Sequence, residues 1–281
     1  MSQATFAILP DRAILRLDGP EARSFLQGLV SNDVEKVGPS QAVYAALLTP
    51  QGKFLHDFFI YERDGALLLD VNAARRDDLA KRLKLFKLRA KLTIAPLDDL
   101  AVVAVWGPGA EKVGVPDPRL AEAGSRLVLS TGEKPAGLVE ASPADYDAHR
   151  LALGLPEGSR DMEVEKSVLL ECGFEELHGV DFQKGCYMGQ ELTARTKYRG
   201  LVKRRLMPVA IEGEAPANGT PITLDGRDAG EMRSGLGSAG IALIRLDALE
   251  KARIEGRPLM AGETPLSAWT PAWMVLPAGG E

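Results

Sequence analysis

The chain has 281 residues, enough for one large domain or, as the favoured reading, two to three smaller ones that each bury a core. Its 45% hydrophobic and 26% charged residues are those of a globular protein and exclude a disordered or fibrous one. A formal net charge of -5 argues against a surface that embraces nucleic acid throughout, so only a local basic patch could serve that role.

The longest apolar runs, "ALLLDV" and "LAVVAVW", fall well short of the roughly 20 residues that a membrane-spanning helix needs, so no membrane partner is expected. The opening "MSQATFAILPDRAILRL" lacks a basic stretch, an apolar core and a cleavage site in that order, and a cytoplasmic location is expected. Cys172 and Cys186 are the whole cysteine inventory; they exclude a disulfide framework and, with no C-x-x-C pair, give no zinc site.

In chain order, "DGPEARSFLQGLVSNDV" spaces Phe25, Leu26, Leu29 and Val30 for a helix over about 21–30, with Pro20 suited to its first turn. The next stretch, 42–71, holds three apolar runs parted by Pro50-Gln51-Gly52 and Asp64-Gly65, the pattern of an antiparallel meander. "RRDDLAKRLKLFKLRAK" places Leu79, Leu83, Phe86 and Ala90 on one helical face, before "KLTIAPL" and "LAVVAVWG" return to strand character. Around 115–137 proline and glycine thicken, as in short strands joined by turns. Ser142, Pro143 and Asp145 form a capping box for a helix that carries Arg150 and stops at Gly154. After Arg205, short apolar runs broken at roughly ten-residue intervals predict a small all-β barrel or sandwich. The class is therefore α+β, with a boundary in the basic segment "KYRGLVKRR" that divides the chain into 1–200 and 201–281.

The stretch "KGCYMGQE", 184–191, poses the chemical question. A lone cysteine is by default a small buried hydrophobe, and Cys172, with no glycine or cationic bracket, reads that way. Cys186 differs, because Gly185 and Gly189 flank it where neither would help a core element, and Lys184 and Arg195 bracket it with charge that could favour a thiolate. "GQELTARTK" starts either a helix or a strand; if helical, Glu191 and Arg195 form an i, i+4 pair. A protease-like pair with His178, His56 or His149 carries less weight, since no orienting Asn or Asp can be placed.

"VDFQKGCYMGQELTAR", 180–195, closely resembles the signature of the YgfZ family, folate-binding relatives of the glycine-cleavage T protein that support iron–sulfur protein maturation. "FLQGLVSNDV", "LLTPQGKFLHDFFI", "HRLALGLPEGSRDM" and "VKRRL" are similar to family positions in the same order, so the resemblance covers nearly the whole chain. It implies a T-protein-like cloverleaf of two mixed α/β portions and a C-terminal β-barrel around a tetrahydrofolate channel. It also implies Cys186 and Lys184 as the catalytic pair, and Asn32, Asp33, Arg150, Tyr187, Gln190, Glu191 and Arg195 as folate-binding residues. The implied partners are folate and iron–sulfur client or assembly proteins, with an indirect link to tRNA modification through a cluster-dependent enzyme. One thiolate cannot hold a cluster alone, so any contact is transient or shared.

On the residues themselves, Asn32 and Asp33 could equally cap a turn, and Arg150 could be a solvated helix charge. "RTKYRGLVKRR" reads as a solvated face, as an anion site for a folate polyglutamate tail, or as an RNA surface through Lys203, Arg204 and Arg205. The glycines of "DAGEMRSGLGSAGIAL" fall in a β-rich region and make no dinucleotide site. The favoured function is an accessory protein for cluster assembly or repair; a one-carbon transferase and an RNA-binding module are the alternatives.

Overall fold

The computed structural model describes residues 3–200 and 202–276. Leu201, the expected first residue of the C-terminal portion, lies outside the described residues. The first half of the chain runs β1 (Thr5–Ile8), β2 (Arg12–Asp18), α1 (Ala22–Gln27), β3 (Val43–Leu48), β4 (Phe54–Arg63), β5 (Ala66–Asn72), α2 (Arg76–Lys87), β6 (Thr93–Leu97), β7 (Leu100–Trp106), β8 (Val115–Pro116) and β9 (Ser125–Ser130). It continues through β10 (Val139–Glu140), α3 (Pro143–Ala152), α4 (Gly158–Asp161), α5 (Gln190–Tyr198), β11 (Arg204–Ile211), β12 (Pro221–Leu224), β13 (Arg227–Leu236), β14 (Ala239–Arg245), α6 (Leu246–Glu255), β15 (Leu259–Ala261) and β16 (Thr264–Ala268).

These elements form three bodies. One sheet has the order β3-β4-β5-β2-β6, a second has β10-β1-β7-β9-β8, and β11-β14-β13-β12-β15-β16 closes into a barrel. The expected α+β arrangement of two mixed portions and a C-terminal barrel is present, and the meander forms as read, with β3, β4 and β5 paired antiparallel in sequence.

Strand β3 shows why its sequence is apolar throughout. Successive side chains leave a strand on opposite faces. Tyr44, Ala46 and Leu48 join a core with Ala7, Val102 and Ala104 of the second sheet, whereas Val43, Ala45 and Leu47 pack with Leu26 of α1 and with Leu79 and Leu83 of α2. The first sheet is thus a middle layer, buried on both faces.

Local signals hold where caps are written in the sequence. Ser142 Oγ accepts from the Asp145 amide at 3.2 Å while Asp145 Oδ2 accepts from the Ser142 amide at 2.8 Å, closing the capping box that starts α3. They fail where a helix stops early. The first helix ends at Gln27 rather than near residue 30, and α2 ends at Lys87, so Ala90 lies beyond it and Phe86 is 43% exposed instead of inward. The helix α6 was not foreseen inside the β-rich region, although Leu249 and Ala252, both buried, have helical spacing.

Candidate functional site

The stretch 184–191 runs into the first turn of α5, with Gly185 and Cys186 exposed and Tyr187 buried, and its neighbours fix it from three sides. The C-terminal end of α1 leaves carbonyls without helical partners. Lys184 fills that role: its ammonium donates to the carbonyls of Gln27 at 2.7 Å and Val30 at 2.6 Å and lies 5.2 Å from the Tyr187 ring centre. Burial lowers the Lys184 pKa to about 8, against the opposing pull of Asp33 and Asp181. Lys184 is therefore an anchor of the loop on α1, and the Met188 amide adds a second tie by donating to the Gly28 carbonyl at 3.2 Å.

Tyr187 is buried in the main core, with burial raising its phenol pKa, and its amide donates to Gln190 Oε1 at 3.0 Å. The two glycines serve different needs. Gly189 has φ +80°, and a Cβ there would meet the Thr49 carbonyl oxygen at 2.5 Å and Gly52 Cα at 3.0 Å, so two backbones cross with no room for a side chain. Gly185 has φ +93° with open space around it, so its requirement is conformational alone.

Between these anchors Cys186 is exposed, while Cys172 is 2% exposed and burial pushes its thiol pKa up. The fold thus separates a filler sulfur from a presented one, as the glycine bracket suggests. Among the described residues no group of three or more His, Cys, Asp or Glu is placed to hold a metal ion.

The three residues before Lys184 line a hollow of about 720 Å³. Its walls include Tyr44, Pro116, Pro118, Val180 and Phe182, with Asn32 deep in it. Lys36, paired with Asp181, and Lys197, paired with Glu175, stand at its rim. The Asn32 amide is spent on structure: Nδ2 donates to the carbonyls of Tyr44 at 2.7 Å and His178 at 2.6 Å, and Oδ1 accepts from the Asp33 amide. The Asp33 carboxylate caps the following turn and accepts from Gln27 Nε2 at 2.8 Å.

A buried ion network joins the two sheets. Asp70 of β5 takes Arg12 of β2 at 2.6 Å and Arg126 of β9 at 3.0 Å. Arg119 pairs with Asp117 at 2.8 Å, and Arg126 lies 4.0 Å above the Phe59 ring. Burial pushes the Asp117 carboxyl up, but Arg119 and Arg126 outweigh it and hold its pKa low. Asp57, bonded to the Tyr44 hydroxyl at 2.9 Å, goes the other way: burial raises its pKa. Tyr61 Oη and Arg126 Nε are buried with no hydrogen-bond partner among the described residues. Arg150, 2% exposed, centres a second buried cluster that reaches the barrel, with Asp147 at 2.5 Å, Asp161 at 3.0 Å and Ser234 Oγ of the barrel at 3.0 Å.

The structure therefore brings Lys184, Cys186, Tyr187 and Gln190 into one loop, with Glu191 and Arg195 exposed on α5 and unpaired among the described residues. It places Asn32 in the hollow and seals Arg150 away from it. The basic run does not act as one patch. Arg205 turns inward, 3% exposed, donating to the Leu170 carbonyl at 2.8 Å and to Glu176 at 2.7 Å, while Lys203 and Arg204 stay exposed. The network was missed from the sequence, yet Asp57 in "FLHDFFI" and Asp70 in "ALLLDV" signal it, because a carboxylate inside an apolar strand needs a buried partner.

Two family models match the chain: GCVT N-terminal domain over residues 13–114 and CAF17, C-terminal beta-barrel domain, over residues 203–276. Among curated proteins, the iron-sulfur cluster assembly factor IBA57, mitochondrial, of Mus musculus is 35% identical over 86% of this chain and 78% of its own length. Its Homo sapiens counterpart is 34% identical over 94% and 84%. The crystal structure of glycine cleavage system aminomethyltransferase T from Bartonella henselae superposes with a TM-score of 0.75 at 16% identity, covering 97% of this chain and 87% of that one, which shows a shared fold. The expected cytoplasmic location is overturned by these relatives, which are named mitochondrial; it rested on a leader that was not seen, and an absence names no compartment. The YgfZ resemblance is met at a wider level: the chain belongs to the CAF17/GCVT-like family whose members include the IBA57 iron–sulfur cluster assembly factors.

Proposed function

We propose that this chain is a folate-binding accessory protein for iron–sulfur cluster assembly or repair, in which the Cys186 thiolate makes the protein's contact with the cluster. The observation that carries the reading is the presentation of Cys186: exposed, between two positive-φ glycines, on a loop tied to α1 by Lys184 and to the Thr49–Gly52 turn by Gly189. The relatives' printed role as cluster assembly factors supports it. A single cysteine that belongs to no group of three or more ligating side chains among the described residues leaves the other iron positions to a second protein, so the cluster is cargo shared across an interface. On binding iron the thiol gives its proton to solvent, with no change of oxidation state.

The hollow fits a folate in size and chemistry, its volume lying in the range of small-molecule sites. Tyr44, Phe182 and the two prolines would hold the ring system, and Lys36 and Lys197 would face the glutamate carboxylates. When bound, folate supplies a one-carbon carrier; the chain's own part is to enclose the ring and to set the adjoining Cys186 loop through Asp181, whose Oδ1 accepts from the Gln183 amide at 2.6 Å.

The test is complementation of a strain lacking this protein, read as activity of iron–sulfur enzymes. Cys186→Ala is expected to lose activity while keeping folate binding by calorimetry, and Cys172→Ala is expected to complement. Full complementation by Cys186→Ala would remove the thiol from the account.

A further inference from the structure

A hollow of about 1150 Å³ opens between the barrel and the chain that leads into it, and none of the residues lining it lines the hollow around Asn32. Its walls come from β13, β14 and α6, from residues 202–204 at the start of β11, and from the loop 163–171. Arg233 of β13 is the buried cation of this wall, its side chain 8% exposed. Nη1 donates to Glu231 Oε1 at 2.9 Å, but Nη2 stands 3.7 Å from Glu163, beyond bonding range, and Nε is buried with no partner among the described residues. The Nε–Nη2 edge is the side of a guanidinium that grips a carboxylate through two parallel bonds, and here it meets no acceptor among the described residues. A buried donor left unmet is unfavourable, so this edge calls for an acceptor from outside the chain.

Cations and carboxylates are equal in number around the hollow, and most are spent on one another. Arg245 lies 2.7 Å from Asp247 and 3.8 Å from Asp228, and Arg204 lies 3.9 Å from Glu171. Lys203 is exposed with no carboxylate partner among the described residues. One added negative charge suits such a wall, whereas a phosphate dianion would be opposed by Glu163 and Glu231 beside the same guanidinium. Leu243 of β14 and Leu246, Leu249 and Ile254 of α6 give the hollow an aliphatic side. No aromatic ring lines it among the described residues, so a flat heterocycle finds nothing to stack on. We infer that the hollow binds an aliphatic carboxylic acid, its carboxylate forked onto Arg233 Nε and Nη2 and its chain laid along the leucines. The site is independent of Cys186 and of any cluster held there.

The experiment is calorimetric titration of the full chain with decanoate and octanoate below their micelle concentrations. Decanoate is expected to bind saturably and ~10-fold more tightly than octanoate, as two more buried methylenes require. Octan-1-ol, which keeps the chain and lacks the charge, should bind ~10-fold more weakly than octanoate. Arg233→Lys keeps the charge but not the fork and is expected to weaken decanoate by ~10-fold or more, with its urea midpoint showing that the fold is kept. Ile254→Glu, at a position 78% exposed, should weaken decanoate without moving the urea midpoint. No saturable binding by the unaltered chain overturns the proposal, as does undiminished binding by either variant. Octan-1-ol binding as tightly as octanoate would mark an unspecific apolar surface, and inorganic phosphate displacing decanoate at a lower concentration than octanoate does would mark a different anion site; either result overturns the assignment to a carboxylic acid.

Discussion

Gly185→Ala and Gly189→Ala should differ in a way that reports how the cysteine loop is held. Both glycines have positive φ, so an alanine at either pays roughly 1–2 kcal/mol for a conformation that disfavours a Cβ. At Gly185 nothing lies within 4 Å of the new methyl, and the cost ends there. At Gly189 the methyl would sit 2.5 Å from the Thr49 carbonyl oxygen, 2.9 Å from Leu48 Cβ and 3.0 Å from Gly52 Cα. Two of those atoms are backbone and cannot swing away, so forced repacking adds about 1–3 kcal/mol. The totals are about 1–2 kcal/mol for Gly185→Ala and about 2–5 kcal/mol for Gly189→Ala, measurable as urea midpoints at unchanged slope. Labelling of Cys186 by a chromogenic disulfide should accelerate more in Gly189→Ala, because that variant loosens the loop's tie to the β3–β4 turn. Equal destabilisation by the two, or a larger loss at Gly185, would refute the crossing-backbone account.

Lys184→Met keeps the apolar stem but leaves the Gln27 and Val30 carbonyls without their donor, a loss of about 1–3 kcal/mol that should appear as faster amide exchange over 184–190. Asp70→Asn removes the carboxylate shared by Arg12 and Arg126 and should cost about 3–5 kcal/mol in urea unfolding, with no effect confined to the cysteine loop. His56 gives a pH signature. Burial, helped by Arg75, lowers its pKa from 6.5 to about 4, so the unfolded chain takes up the proton first as pH falls. Its share of stability is full above pH 6.5 and is lost on descending toward 4; His56→Gln should flatten the melting temperature over that window.

Much of the first body was legible because both faces of its strands are buried and its turns carry Pro50-Gln51-Gly52 and Asp64-Gly65. The α3 start was legible because a capping box is local. The glycine bracket around Cys186 marked an unusual loop, and the exposed thiol agrees with that mark. What holds the loop was not legible: the bonds from Lys184 span 157 and 154 residues of sequence, and no local pattern announces them. Arg150 shows the same limit, since its partners come from α3, α4 and the barrel. Phe86 was turned inward on the expectation of a helix reaching Ala90, whereas the chain breaks at Leu88 with φ +45° and leaves the aromatic outside. The helix α6 was lost to the base pattern of short β runs around it, although the run from Leu246 to Glu255 contains neither proline nor glycine.

In the proposed function Cys186 itself touches iron. Visible circular dichroism of a loaded [2Fe–2S] carrier, titrated with this protein, reads the ligand sphere directly. The unaltered chain and Cys172→Ala should shift the cluster bands to the same endpoint, and Cys186→Ala should leave them where they began; an identical shift with Cys186→Ala would contradict the account.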